Sequence, residues 1–214
     1  MNYQPLKYIY QPAPLSGAPT LLLLHGTGGD ERDLLPLAKN YGPDLNLLSV
    51  RGNVLESGMP RFFKRLGMGI FDEQDLQFRT HELVHFLREV APKEGFDPAQ
   101  IWALGYSNGA NIAGGILMLY PDFLAGAILL RPMQPLAAYS EFRTSRKQPV
   151  FVSSGKHDPT VDPIATDRYS QLLEANGFRV SRHNLEASHQ LTQQDLNLSL
   201  QWFESQLARP DGNL

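Results

Sequence analysis

Short apolar runs without alternation recur along the chain, each followed by a glycine-rich or polar break and then by a segment with helical spacing. Residues 20–24, 45–50, 101–104, 126–130 and 150–154 are such runs, as expected of strands covered on both faces. Residues 8–10 predict a short first strand, and the weakly alternating 178–184 a last one. Helices are predicted over 31–40, with Asp30 as its cap, over 73–90, 112–120 and 164–176, and over 191–207. In the second of these, Leu83, Phe86, Leu87 and Val90 follow the i, i+3, i+4, i+7 spacing of one buried face. Residues 54–71 show no clear period and read as an irregular excursion over the strand ends. The alternation of strand and helix predicts a mostly parallel sheet with helices on both faces, built as a single α/β domain over 1–214.

In such a sheet, ligands sit outside the carboxyl ends of the strands. Those ends carry His25-Gly26-Thr27-Gly28-Gly29-Asp30, Arg51-Gly52-Asn53, Gly105-Tyr106-Ser107-Asn108-Gly109, Arg131-Pro132-Met133 and Gly155-Lys156-His157-Asp158-Pro159. The uncharged stretch 109–130 is about long enough to span a bilayer, but Pro121-Asp122 divides it into a buried helix and a buried strand. The chain's 214 residues suffice for one substantial core.

Composition narrows the chemistry. The net charge is -3, with 19 basic and 22 acidic residues dispersed along the chain, so a nucleic-acid partner is not expected. There is no cysteine, which removes disulfides, thiolate metal sites and cysteine nucleophiles. The N-terminus lacks a basic region followed by an apolar one, so a cytoplasmic protein is expected.

Between a strand and a helix, G-x-S-x-G is the pattern of a nucleophile elbow, which pushes the serine hydroxyl out above the sheet edge. Serine needs a base to remove its proton and an acid to orient that base, in the chain order Ser, Asp or Glu, His. Asp158 follows a predicted strand at the correct edge, with Asp162 in reserve. Only His183 and His189 come later; His183 falls inside a strand and His189 in its exit loop, so His189 is preferred. His157 precedes Asp158 and reads as a polar loop residue. His81 and His85 are spaced i, i+4 but lack the H-E-x-x-H pattern, and no metal site is expected. The backbone N–H groups of Thr27 and Asn108 would serve a developing oxyanion, with His25 bracing the glycine loop.

Leu24 to Asp30, Gly105 to Ala110 and Gly155-x-x-Asp158-Pro159 together resemble the phospholipase/carboxylesterase family of small α/β-hydrolases, which also contains acyl-protein thioesterases. Arg51-Gly52-Asn53-Val54, Gly58-Met59-Pro60-Arg61-Phe62-Phe63 and Arg131-Pro132-Met133 are similar to a bacterial branch often associated with hydroquinone or aromatic-compound resistance operons. The resemblance implies an α/β-hydrolase fold and a cofactor-independent serine carboxylesterase acting on small esters or thioesters. It also implies Ser107 as nucleophile, Asp158 as orienting acid, His189 as base, Thr27 and Asn108 as oxyanion donors, and a homodimer. One departure stands out: the family commonly has two glycines before the histidine, where this chain has Ala187-Ser188.

Met59, Phe62 and Met133 are expected as apolar pocket walls, and Arg51 or Arg131 as a grip for a substrate carboxylate or else a structural ion pair. The alternative function is a non-catalytic scaffold of the same fold that binds a small aromatic compound.

Overall fold

Strand β1 (Tyr8–Gln11) pairs antiparallel with β3 (Asn46–Val50), which lies beside β2 (Thr20–Leu24). Beyond β2 the sheet continues through β8 (Ile101–Tyr106), β9 (Gly126–Leu130), β10 (Pro149–Gly155) and β11 (Arg179–Leu185), all parallel. The structure, a computed structural model, describes residues 3–67 and 69–208. The successive leucines of β2 show why the run does not alternate. Leu22 and Leu24 enter one core and Leu21 and Leu23 the other, so both faces of the strand are dry.

On the first face lie α2 (Glu73–Glu94), α3 (Asn108–Leu119) and α4 (Pro163–Ala175), which contribute Leu83, Ile112 and Tyr169 to that core. Helices α1 (Leu35–Ala38) and α5 (Gln193–Leu207) cover the second, with Leu35 and Phe203. The apolar stretch 109–130 resolves into α3 and β9, and no helix among the described residues is long and apolar enough to cross a membrane.

Two expectations need correction. The helix predicted over 31–40 is a turn followed by the four residues of α1 and a 3-10 turn at Lys39–Tyr41. Pro36 is the reason: in a helix begun at residue 31 its ring would sit in the interior, whereas in α1 it occupies the first turn. Asp30 consequently caps no helix and instead accepts the Arg32 N–H at 2.7 Å. The excursion at 54–71 is two small hairpins, β4 (Val54–Glu56) with β5 (Met59–Arg61) and β6 (Arg65–Gly67) with β7 (Ile70–Phe71). Strands this short carry no readable alternation. Helix α2 continues past Val90 to Glu94 and ends at Gly95, a glycine placed to stop it, which caps it in the left-handed region.

Candidate active site

Ser107 stands between the end of β8 and the first residue of α3, with φ 51° and ψ −110°. A non-glycine residue held there is strained, and the surroundings hold it. Its N–H donates to Leu130 O at 2.8 Å, while its own carbonyl accepts the Asn111 N–H at 3.0 Å. The flanking glycines are required by close approach. A Cβ on Gly105 would overlap the backbone of Gly109, and one on Gly109 would overlap the Leu24 carbonyl of the neighbouring strand. The turn therefore closes only where both positions lack side chains.

His189 lies in the loop after β11 and meets Ser107 across the sheet edge. The Ser107 hydroxyl and His189 Nε2 are 2.9 Å apart, and His189 Nδ1 is 2.8 Å from Asp158 Oδ2. A carboxylate only accepts, so Nδ1 carries the proton donated to Asp158 and Nε2 is left to accept from Ser107. The Asp158 side chain is 1% exposed, and its other oxygen accepts the N–H groups of Thr160 and Val161 at 2.7 and 2.9 Å. The Asp158 carboxylate is thus fixed by its own loop. Asp162, held in reserve, is the N-cap of α4 and accepts from Ile164 N–H at 2.9 Å. His183 lies within β11, stacked on Phe151, and His157 pairs with Glu186 in solvent. His81 bonds the Tyr120 hydroxyl at 2.7 Å and His85 packs on Tyr3.

Ser107 and His189 open onto a cavity of about 210 Å³ that Thr27 and Asn108 also line. Asn108 begins α3, so its N–H has no intrahelical partner and is oriented with the positive end of the helix. The first hairpin holds both residues in place. Arg61 Nη1 donates to Thr27 Oγ1 at 2.6 Å, the Gly28 N–H to Pro60 O at 2.9 Å, and the Phe62 N–H to Asn108 Oδ1 at 2.7 Å. His25 braces the same loop from beneath: Nδ1–H donates to Gly26 O at 2.6 Å and Nε2 accepts the Gly52 N–H at 3.0 Å. Burial lowers the His25 pKa from its ordinary value, in keeping with the neutral ring this pair of bonds requires.

Of the five expected pocket residues, Met133 alone lines this cavity, its N–H held by Asn111 Oδ1 at 2.8 Å. Phe62 is buried against the His25 ring, and Met59 is exposed beside Gly28. The two arginines are committed elsewhere. Arg51 pairs with Glu31 and Asp30, and Arg131 is fully buried against Asp195. Neither guanidinium is in the cavity wall, so the structural ion pair is the correct reading of both. Sequence reasoning missed Arg61 and Arg65, which do line the cavity together with Phe71, Tyr106 and Val161. Arg61 sat within a segment already singled out for its glycines and aromatics; nothing in the sequence distinguished its fork from those of Arg51 and Arg131.

The mostly parallel sheet, the strained elbow and the strand-end loops define an α/β-hydrolase. More closely, residues 11–205 match the Phospholipase/Carboxylesterase family, and the chain belongs to it. It is 44% identical to MhqD of Bacillus subtilis (strain 168) over 93% of this chain and 98% of that protein. The crystal structure of the Bacillus cereus carboxylesterase has a TM-score of 0.90 at 44% identity, covering 94% of each chain. A carboxylesterase from Mesorhizobium loti has a TM-score of 0.85 at 28% identity, covering 93% of this chain and 94% of its own. Family and neighbours make this chain an esterase-type hydrolase.

Proposed function

We propose that this hydrolase is a cofactor-independent serine esterase, cleaving small carboxylic esters or thioesters through an acyl-enzyme on Ser107. The observation that carries the reading is the continuous hydrogen-bond relay from Ser107 Oγ through His189 to the buried Asp158, at the mouth of a cavity. As Ser107 Oγ bonds to the ester carbon, its proton passes to His189 Nε2, and Asp158 stabilises the imidazolium. The carbonyl oxygen becomes an oxyanion received by the N–H groups of Thr27 and Asn108, an arrangement typically contributing about 10²–10³ in rate per donor. Collapse breaks the bond to the alcohol or thiol, which leaves with the proton from His189. Water then repeats the sequence on the acyl-enzyme, releasing the acid and restoring Ser107. A cavity of about 210 Å³ lies below the usual range for drug-sized ligands, which favours short acyl and alcohol groups.

Incubation with a short-chain p-nitrophenyl ester tests the reading. Wild type turns it over, and Ser107→Ala loses at least about 10⁴-fold in kcat; equal turnover by both would refute it. A fluorophosphonate probe separates the esterase from a binding scaffold, since only an activated serine is labelled.

A further inference from the structure

One wall of the cavity beside Ser107 is cationic. Arg61 and Arg65 both line it, and no described residue of the lining is Asp or Glu. Glu56 stands between the two guanidinium groups, 3.2 Å from Arg61 Nε and 2.8 Å from Arg65 Nε. The nearby Lys64 faces Asp75 on α2 instead, at 3.9 Å, and the Asp158 charge is turned toward His189. The Arg61 side chain is 4% exposed, so its charge acts with little screening by water, whereas Arg65, 21% exposed, reaches the solvent side. Phe71, Met133 and Val161 supply apolar surface to the remaining lining. A charged wall facing apolar ones orients a ligand as well as attracting it.

We propose that the esters this site prefers carry a carboxylate on the acyl or the alcohol arm, received by Arg65 and Arg61 while the ester carbonyl lies at Ser107. This rests on the esterase reading above. The planar guanidinium forks match a carboxylate in shape.

The test compares matched esters on each arm: p-nitrophenyl hexanoate with the p-nitrophenyl monoester of adipate, and phenyl acetate with 3-acetoxybenzoate. The quantity read is the anionic-to-neutral ratio of kcat/KM in wild type against Arg65→Gln, in which the intrinsic reactivity of each ester cancels. The ratio falls about tenfold or more on one arm when the charge-assisted bond is lost, and that arm locates the carboxylate. An unchanged ratio on both arms overturns the proposal. Calorimetry with adipate on the Ser107→Ala protein reads the same subsite without turnover. Adipate binds about tenfold more weakly once Arg65→Gln is added; equal binding, or none to either protein, also overturns it. Failure of the esterase reading alone would instead appear as absent turnover of the neutral esters with adipate binding intact.

Discussion

Arg131 and Asp195 form a buried two-pronged ion pair, Nη1 to Oδ1 at 2.7 Å and Nη2 to Oδ2 at 2.9 Å, and the same guanidinium fixes the loop that carries His189. Its Nε donates to Ser188 O at 3.0 Å and its Nη2 to Gln190 O at 3.2 Å, while the Tyr106 hydroxyl donates to His189 O at 3.2 Å. Three consecutive carbonyls are thereby held. Asp195 in turn closes the capping box of α5 with Thr192 and accepts from Ser153 Oγ, tying the loop to β10 and the last helix. Because these contacts go to main-chain oxygens, they do not depend on which side chains stand at Ala187 and Ser188.

Removing one member of such a pair strands a buried charge. Arg131→Met is expected to lower stability by about 3–5 kcal/mol, and Arg131→Met with Asp195→Leu to recover much of that loss. Activity is expected not to recover, since the carbonyls beside His189 remain unheld and a shift of about 1 Å in a catalytic group costs on the order of 10²-fold. Urea titration and kcat of the two variants check this together. A double variant with wild-type kcat would show that the pair stabilises the fold without positioning His189.

Asp158→Asn tests the acid separately from the fold. Asparagine can keep an oxygen toward the Thr160 and Val161 N–H groups, so the loop is expected to remain in place. Its amide cannot accept from Nδ1–H through the second atom, and the imidazole is left in the wrong tautomer. A drop of about 10⁴-fold in kcat with little change in melting temperature is expected. A loss below tenfold would remove Asp158 from the proposed relay.

Gly109→Ala addresses the elbow. The added methyl on α3 would overlap the Leu24 carbonyl at the end of β2, and that strand cannot retreat without breaking its ladders with β3 and β8. A destabilisation beyond about 4 kcal/mol is expected, in the class of overpacked cores. Circular dichroism melts measure it; a variant melting within a few degrees of wild type would show that the elbow opens more easily than its geometry implies.

The parts legible from sequence were those whose causes are local. Gly105 and Gly109 mark a turn that only glycine permits, and the dry strands announce themselves by unbroken apolar runs. His189 could be preferred over His183 because alternation placed one inside a strand and the other beyond it. Arg51 and Arg131 show where this reasoning ends: an arginine after a strand looks the same whether its partner is a substrate or an aspartate. Asp195 sits in the first turn of α5 and reads as an ordinary capping residue, with no local sign that it faces Arg131. The hairpins that bring Arg61 and Arg65 to the cavity depend on pairings of two or three residues, too few to leave a period.

His25 links the glycine loop to pH. Burial lowers its pKa below the ordinary 6.5, and the ring must be neutral for Nε2 to accept the Gly52 N–H. The unfolded chain therefore takes up the proton first as pH falls. The stabilisation is fully present above 6.5 and declines as pH drops below it, levelling off under the folded-state value. His183, also lowered by burial, adds a slope of the same sign. His25→Gln is expected to be less stable by about 1–3 kcal/mol at pH 8, through the strained or lost bonds to Gly26 and Gly52. Its unfolding free energy is also expected to fall less steeply than that of wild type between about pH 7 and pH 5. Urea titrations at intervals across that range measure both slopes, and parallel curves would show that His25 takes no part in the pH dependence.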